Sequence, residues 1–97
     1  MNQIAAQLEL EVVRQDRGSK QPFVIVMHVP APSSGGDWQC AVTYTGFRSR
    51  SFVIYGVDSW QALTLARRMI RSELQSLLPR LQYLGEGLDL ATLFDAA

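Results

Sequence analysis

The sequence predicts an α+β fold: a four-stranded antiparallel meander in the order β-β-β-β-α, one long helix across one face, and a short C-terminal helix or docked tail. Three observations predict it. The segment from Val57 to Pro79 carries apolar residues at helical spacing. Four segments before it alternate, or run apolar, at strand lengths. The connections between them are short, which favours antiparallel neighbours.

The helix has marked ends. Asp58 is a good N-cap, because its carboxylate accepts from the free N–H groups of the first turn. Gln61 stands where it can reach back, as in a capping box. Gly56 lets the chain turn out of the preceding strand. Pro79 lacks an N–H and disfavours helical geometry at Leu78. Ala62, Leu63, Ala66, Ile70, Leu74 and Leu77 form one apolar stripe, widened by Leu65 and Met69. Ala62 and Ala66 are small, so the first half of the helix can lie close to its sheet. Glu73 falls inside the apolar arc. The ordinary reading is a snorkelling edge residue that reaches water or an arginine; the alternative is a buried functional carboxylate, which is costly and rare.

The strands follow in order. Gln7–Arg14 alternates, with Leu8, Leu10 and Val12 on one side and Glu9 and Glu11 on the other. Residues 15–20 are turn chemistry. Phe23–Val29 is apolar on both faces, so it reads as a central strand with a cover on each side. Pro30–Asp37 is a loop, stiff at its prolines and loose at its glycines. Trp38–Thr45 alternates again, and Phe52–Tyr55 is the fourth strand, joined to it through Gly46 and a polar run. After Pro79 the tail carries too many leucines, with Tyr83 and Phe94, to be free. It is expected to dock, with a joint at Gly85 and Gly87 and a short helix within Asp89–Asp95. One long helix covers one sheet face, so the second face of the central strand calls either for the tail or for a second copy, the latter making a homodimer.

The chain has 97 residues, read as a single domain over 1–97. Apolar residues make up 47% and charged ones 19%, which is globular rather than disordered. Net charge is zero, so no positive field argues for nucleic acid or an anionic membrane. One cysteine, Cys40, excludes an internal disulfide and fits the cytoplasm. The N-terminal residues lack the pattern of a secretory signal, and no apolar run is long enough for a membrane helix.

Chemistry-bearing residues are few. His28 is the single histidine, and a general base needs a positioned partner. Cys40 alternates with Trp38 and Val42, as a buried small hydrophobe does. A Cys40–His28 pair on neighbouring strands is geometrically possible, but no oxyanion-hole signature accompanies it. Neither C-x-x-C nor a carboxylate cluster suggests a metal, and no glycine-rich phosphate loop is present. The expectation is therefore no catalytic residue, no cofactor and no metal.

Trp38, Cys40 and Val42, followed by Tyr55-Gly56-Val57-Asp58-Ser59-Trp60-Gln61-Ala62-Leu63 and on to Leu65 and Ala66, resemble a family of small uncharacterised bacterial proteins. The likeness covers the second half of the chain. It implies a bacterial source and a stand-alone small protein, and no activity or site transfers with it.

The expected function is non-enzymatic protein binding, of which an immunity- or antitoxin-like inhibitor is one analogy. The candidate interaction surface comprises Trp38, Tyr44, Arg48, Arg50, Tyr55, Trp60, Arg67 and Arg71, since aromatic residues and arginine are enriched where surfaces bind. The alternative is a nucleic-acid-associated protein, if Arg48 and Arg50 face the same way as Arg67, Arg68 and Arg71. A small ligand-binding protein or enzyme around His28, Cys40 and Glu73 comes last.

Overall fold

The computed structural model describes residues 3–13, 18–77, 80–83 and 86–87. Four long strands form: β1 (Ile4–Val13), β2 (Lys20–His28), β4 (Trp38–Gly46) and β5 (Arg50–Gly56). Three short segments join them: β3 (Ala31–Pro32), β6 (Leu81–Tyr83) and β7 (Glu86–Gly87). The helix is α1 (Ser59–Leu77). Each long strand pairs antiparallel with the next, so the expected meander is present.

The short segments are what the sequence pattern misses. β3 continues β2 along β4, because Met27 faces Val42 and Ala31 faces Gln39. From 27 to 31 is four steps, and from 42 to 39 is three. The extra residue makes a bulge around Pro30, which has no N–H for the ladder. The rest of the expected loop closes as a tight turn: Ser33 N donates to Asp37 O at 2.7 Å and Gly36 N to Ser33 O at 3.2 Å. The described part of the tail docks as strand. β6 pairs with β1 at Glu11 and Val12, and β7 pairs with β6. Arg80 fastens this return twice: its carbonyl accepts from Val13 N at 2.8 Å, and its Nε donates to Val13 O at 3.1 Å. The short helix expected within 89–95 lies outside the described residues.

Alternation places one side of each strand in the core. Leu10 and Val12, then Phe23, Ile25 and Met27, then Cys40, Val42 and Tyr44 are buried under α1's Ala62, Ala66, Ile70, Leu74 and Leu77. Burying each large side chain contributes roughly 1.5–3 kcal/mol. The helix packs on β4 and β5. Its start is built as its sequence indicates. Gln61 N donates to Asp58 Oδ1 at 2.7 Å, and Gln61 Oε1 reaches back to accept from Val57 N at 2.8 Å. The approach is close: a Cβ on Gly56 would lie 2.4 Å from Ala62 N. Gly46 is equally constrained, with φ of +89° and Pro22 O where its Cβ would be.

β2 is central, between β1 and β4. Its second face, with Val24 and Val26, is half-buried, and no described element lies over it. Among the described residues no helix is long and apolar enough to cross a membrane.

Candidate functional site

The two edges of the sheet differ. At one edge, β6 covers Glu11 and Val12 of β1, Glu9 and Glu11 place charges there, and the register slips between Ile4 and Ala6. Cover, charge and irregularity are the ordinary protections of an edge strand. β5 forms the other edge and pairs, among the described strands, with β4 alone. Its sequence is Arg-Ser-Phe-Val-Ile-Tyr-Gly, with charge at its first residue and no proline. It carries the β-branched and aromatic residues that suit a strand, without the devices that blunt an edge.

Large apolar side chains stay in water at the far end of this edge. Val53 is 40% exposed, Tyr55 56%, Val57 74% and Trp60 78%. Strand alternation puts Val53 and Tyr55 on the open face. Val57 and Trp60 follow at the corner where β5 becomes α1. Isolated exposed hydrophobics are ordinary, but four within eight residues, beside a bare edge, form a patch.

The near end of β5 is different in kind. Phe47, Phe23, Tyr44 and Phe52 make an edge-to-face chain, with centroid separations of 6.0, 5.5 and 5.3 Å in that order. Each such contact contributes about 0.5–1.5 kcal/mol beyond burial. Guanidinium groups sit over its ends: Arg48 and Arg80 each 5.6 Å from the Phe47 centroid, and Arg50 5.0 Å from that of Phe52. An open cleft of about 270 Å³ lies beside this chain, lined by Tyr44, Arg50, Met69, Ser72, Glu73 and Ser76. Burial and the nearby Glu73 carboxylate push the Tyr44 hydroxyl up to about 12, against the opposing pull of Arg50 and Arg48. The phenol, protonated at neutral pH as any tyrosine is, can donate into the cleft.

The structure sorts the expected surface residues. Tyr55 and Trp60 are exposed together. Trp38 is half-buried against the core, and Tyr44 belongs to it. Arg48 is committed to Glu73 in an ion pair, so Glu73 is the edge residue that finds an arginine. Arg67, Arg68 and Arg71 lie about 120–160° round the helix from Glu73, at roughly 100° per residue. Arg48, held at Glu73, is therefore on a different side of the helix from these three arginines. Met69, expected to widen the buried stripe, is 41% exposed and forms a cleft wall.

The Cys40–His28 contact is not a nucleophile–base pair. Cys40 Sγ donates to the His28 backbone carbonyl at 3.2 Å. The thiol thus partners a carbonyl at the bulge that breaks the β2 ladder. Burial pushes that thiol up, away from the thiolate. Among the described residues no three metal-ligating side chains converge.

A family model, Domain of unknown function (DUF6968), matches residues 6–89. The chain belongs to the DUF6968 family. The match begins inside β1 and ends beyond β7, so the β5 edge and the capped helix both lie within the DUF6968 region. No curated protein matches the chain, and no solved structure matches it.

Sequence reasoning missed the cleft. Met69, Ser72 and Ser76 are unremarkable on a helix, and the register that sets Arg50 opposite Tyr44 is visible only once β4 and β5 are paired. The exposed corner was half legible: Tyr55 and Trp60 belong to the expected surface, whereas Val53 and Val57 do not.

Proposed function

We propose that this DUF6968 protein is a non-enzymatic protein-binding module that takes an extended segment of a partner protein along the edge of β5. The observation that supports this is the outer edge of β5, which pairs among the described strands with β4 alone and is flanked by exposed Val53, Tyr55, Val57 and Trp60. Addition of a strand to an exposed edge is a recurring recognition mode: main-chain hydrogen bonds supply affinity, and alternate side chains supply selectivity. Trp60 and Tyr55 are residue types that anchor such interfaces. An immunity- or antitoxin-like inhibitor would be one protein of this kind. The free thiol of Cys40 supports a cytoplasmic setting, and the bacterial source rests on the sequence resemblance.

The test is binding of a strand-forming peptide selected against the full chain, compared between wild type, Trp60→Ala and Val53→Lys. Both positions are exposed, so both variants should fold. We expect each to weaken binding about tenfold or more. Unchanged affinity in both variants contradicts the proposal. The homodimer expected from sequence concerns a different surface, the open face around Val24 and Val26. Sedimentation of the purified chain at high concentration tests it separately.

A further inference from the structure

We infer that the cleft at the start of β5 is a carboxylate subsite, in which Arg50 receives an acidic group carried at the C-terminal end of the partner's strand. This rests on the edge-binding reading above and adds the partner's direction and chemistry to it.

The direction comes from the sheet. Every strand pair described here is antiparallel. A partner strand that continues this pattern runs opposite to β5, so its C-terminal end lies beside Arg50. Its earlier residues then lie beside Tyr55 and the Trp60 corner. Arg50 to Gly56 spans about 20 Å at roughly 3.3 Å per residue, enough for a strand of ordinary length.

The chemistry comes from the charge balance of the cleft. Glu73 is neutralised by its pair with Arg48. Arg50 has no carboxylate partner among the described residues; its guanidinium is held over the Phe52 ring. The cleft therefore keeps one positive charge in surplus. Around it stand neutral hydroxyls, those of Tyr44, Ser72 and Ser76, and the apolar Met69 side chain. Ser76 Oγ already donates to Glu73 O at 2.6 Å, so its hydrogen is committed and the hydroxyl donors left in the cleft are those of Tyr44 and Ser72. Arginine with hydroxyl donors suits a carboxylate, and a planar guanidinium stacked on an aromatic ring loses less freedom when it binds one.

Two sources share this chemistry: a chain terminus, or an Asp or Glu near the end of the strand. The experiment separates them. Short peptides with free C-termini, displayed as a random library, are selected on the full-length protein. The best binder is made as free acid and as C-terminal amide, and again with its terminal-region Asp or Glu changed to Asn or Gln. Each is titrated against wild type and Arg50→Gln. We expect one of the two neutralised peptides to bind wild type about tenfold more weakly, and the same pair of peptides to bind Arg50→Gln within about twofold of each other. Loss with the amide identifies the terminus, and loss with Asn or Gln identifies the side chain. Equal binding of all peptides to wild type overturns the carboxylate subsite but leaves edge binding standing. Failure to select any peptide overturns both.

Discussion

Arg48, in the turn between β4 and β5, forms an ion pair with Glu73 on α1, 25 residues further along the chain. The pair ties the hairpin tip to the second half of the helix and closes one side of the cleft. The Glu73 side chain retains 16% of its exposure and that of Arg48 44%. Partial burial at one partner places it above the median surface pair. A double-mutant cycle of Arg48→Ala and Glu73→Ala, read by urea unfolding, is expected to give a coupling near 1 kcal/mol. A coupling indistinguishable from zero would show that the pair does not hold the two elements together.

Gly56 carries the closest approach of helix to strand. Alanine there puts a methyl group 2.4 Å from Ala62 N, on backbone that cannot swing aside. Gly56→Ala is expected to destabilise by about 1–3 kcal/mol. The urea midpoint measures it, and an unshifted midpoint would mean that the strand-to-helix corner can open to admit a methyl group.

Cys40 is predicted to be a poor nucleophile. Its side chain is fully buried, its thiol is engaged with the His28 carbonyl, and burial disfavours the thiolate. Alkylation by iodoacetamide, followed by mass spectrometry, should proceed at the pace of structural opening and accelerate in denaturant. Rapid labelling of the native protein near neutral pH would contradict this and revive a reactive-thiol function.

Tyr44 makes stability depend on alkaline pH. Its hydroxyl titrates at about 12 in the fold, against an ordinary value of 10.0. The folded state thus prefers the protonated phenol. Its contribution is fully present below pH 10 and is lost as pH rises from there through about 12. Tyr44→Phe has no proton to lose, so the difference in stability between wild type and variant should shift in the variant's favour across that window. A difference that stays flat would place the Tyr44 hydroxyl in water.

The long elements were legible because each carries its period without conflict. Leu8, Leu10 and Val12 alternate against glutamates, and the helix has both a cap at Asp58 and a stop at Pro79. β3 was hidden because Pro30 and Pro32 read as loop, and pairing there comes from β4 rather than from local preference. β6 and β7 are too short to show a period, and the β1 edge decides their pairing. The same limit applies to the site. Exposure of Tyr55 and Trp60 and burial of Tyr44 are set by which face of β4 and β5 the helix covers, and the cleft exists only where hairpin and helix meet. Glu73 was visible as a misfit in an apolar arc, but its partner, Arg48, was not.

Edge binding at β5 is tested most directly by hydrogen exchange of the β5 backbone amides in the free protein and in complex with a selected strand-forming peptide. Pairing with a new strand must protect the alternate amides that point away from β4. New protection is expected between Arg50 and Gly56, with little change in the amides that already bond to β4. Tight binding of the peptide with no change along β5 would contradict edge binding and move the interface elsewhere on the molecule.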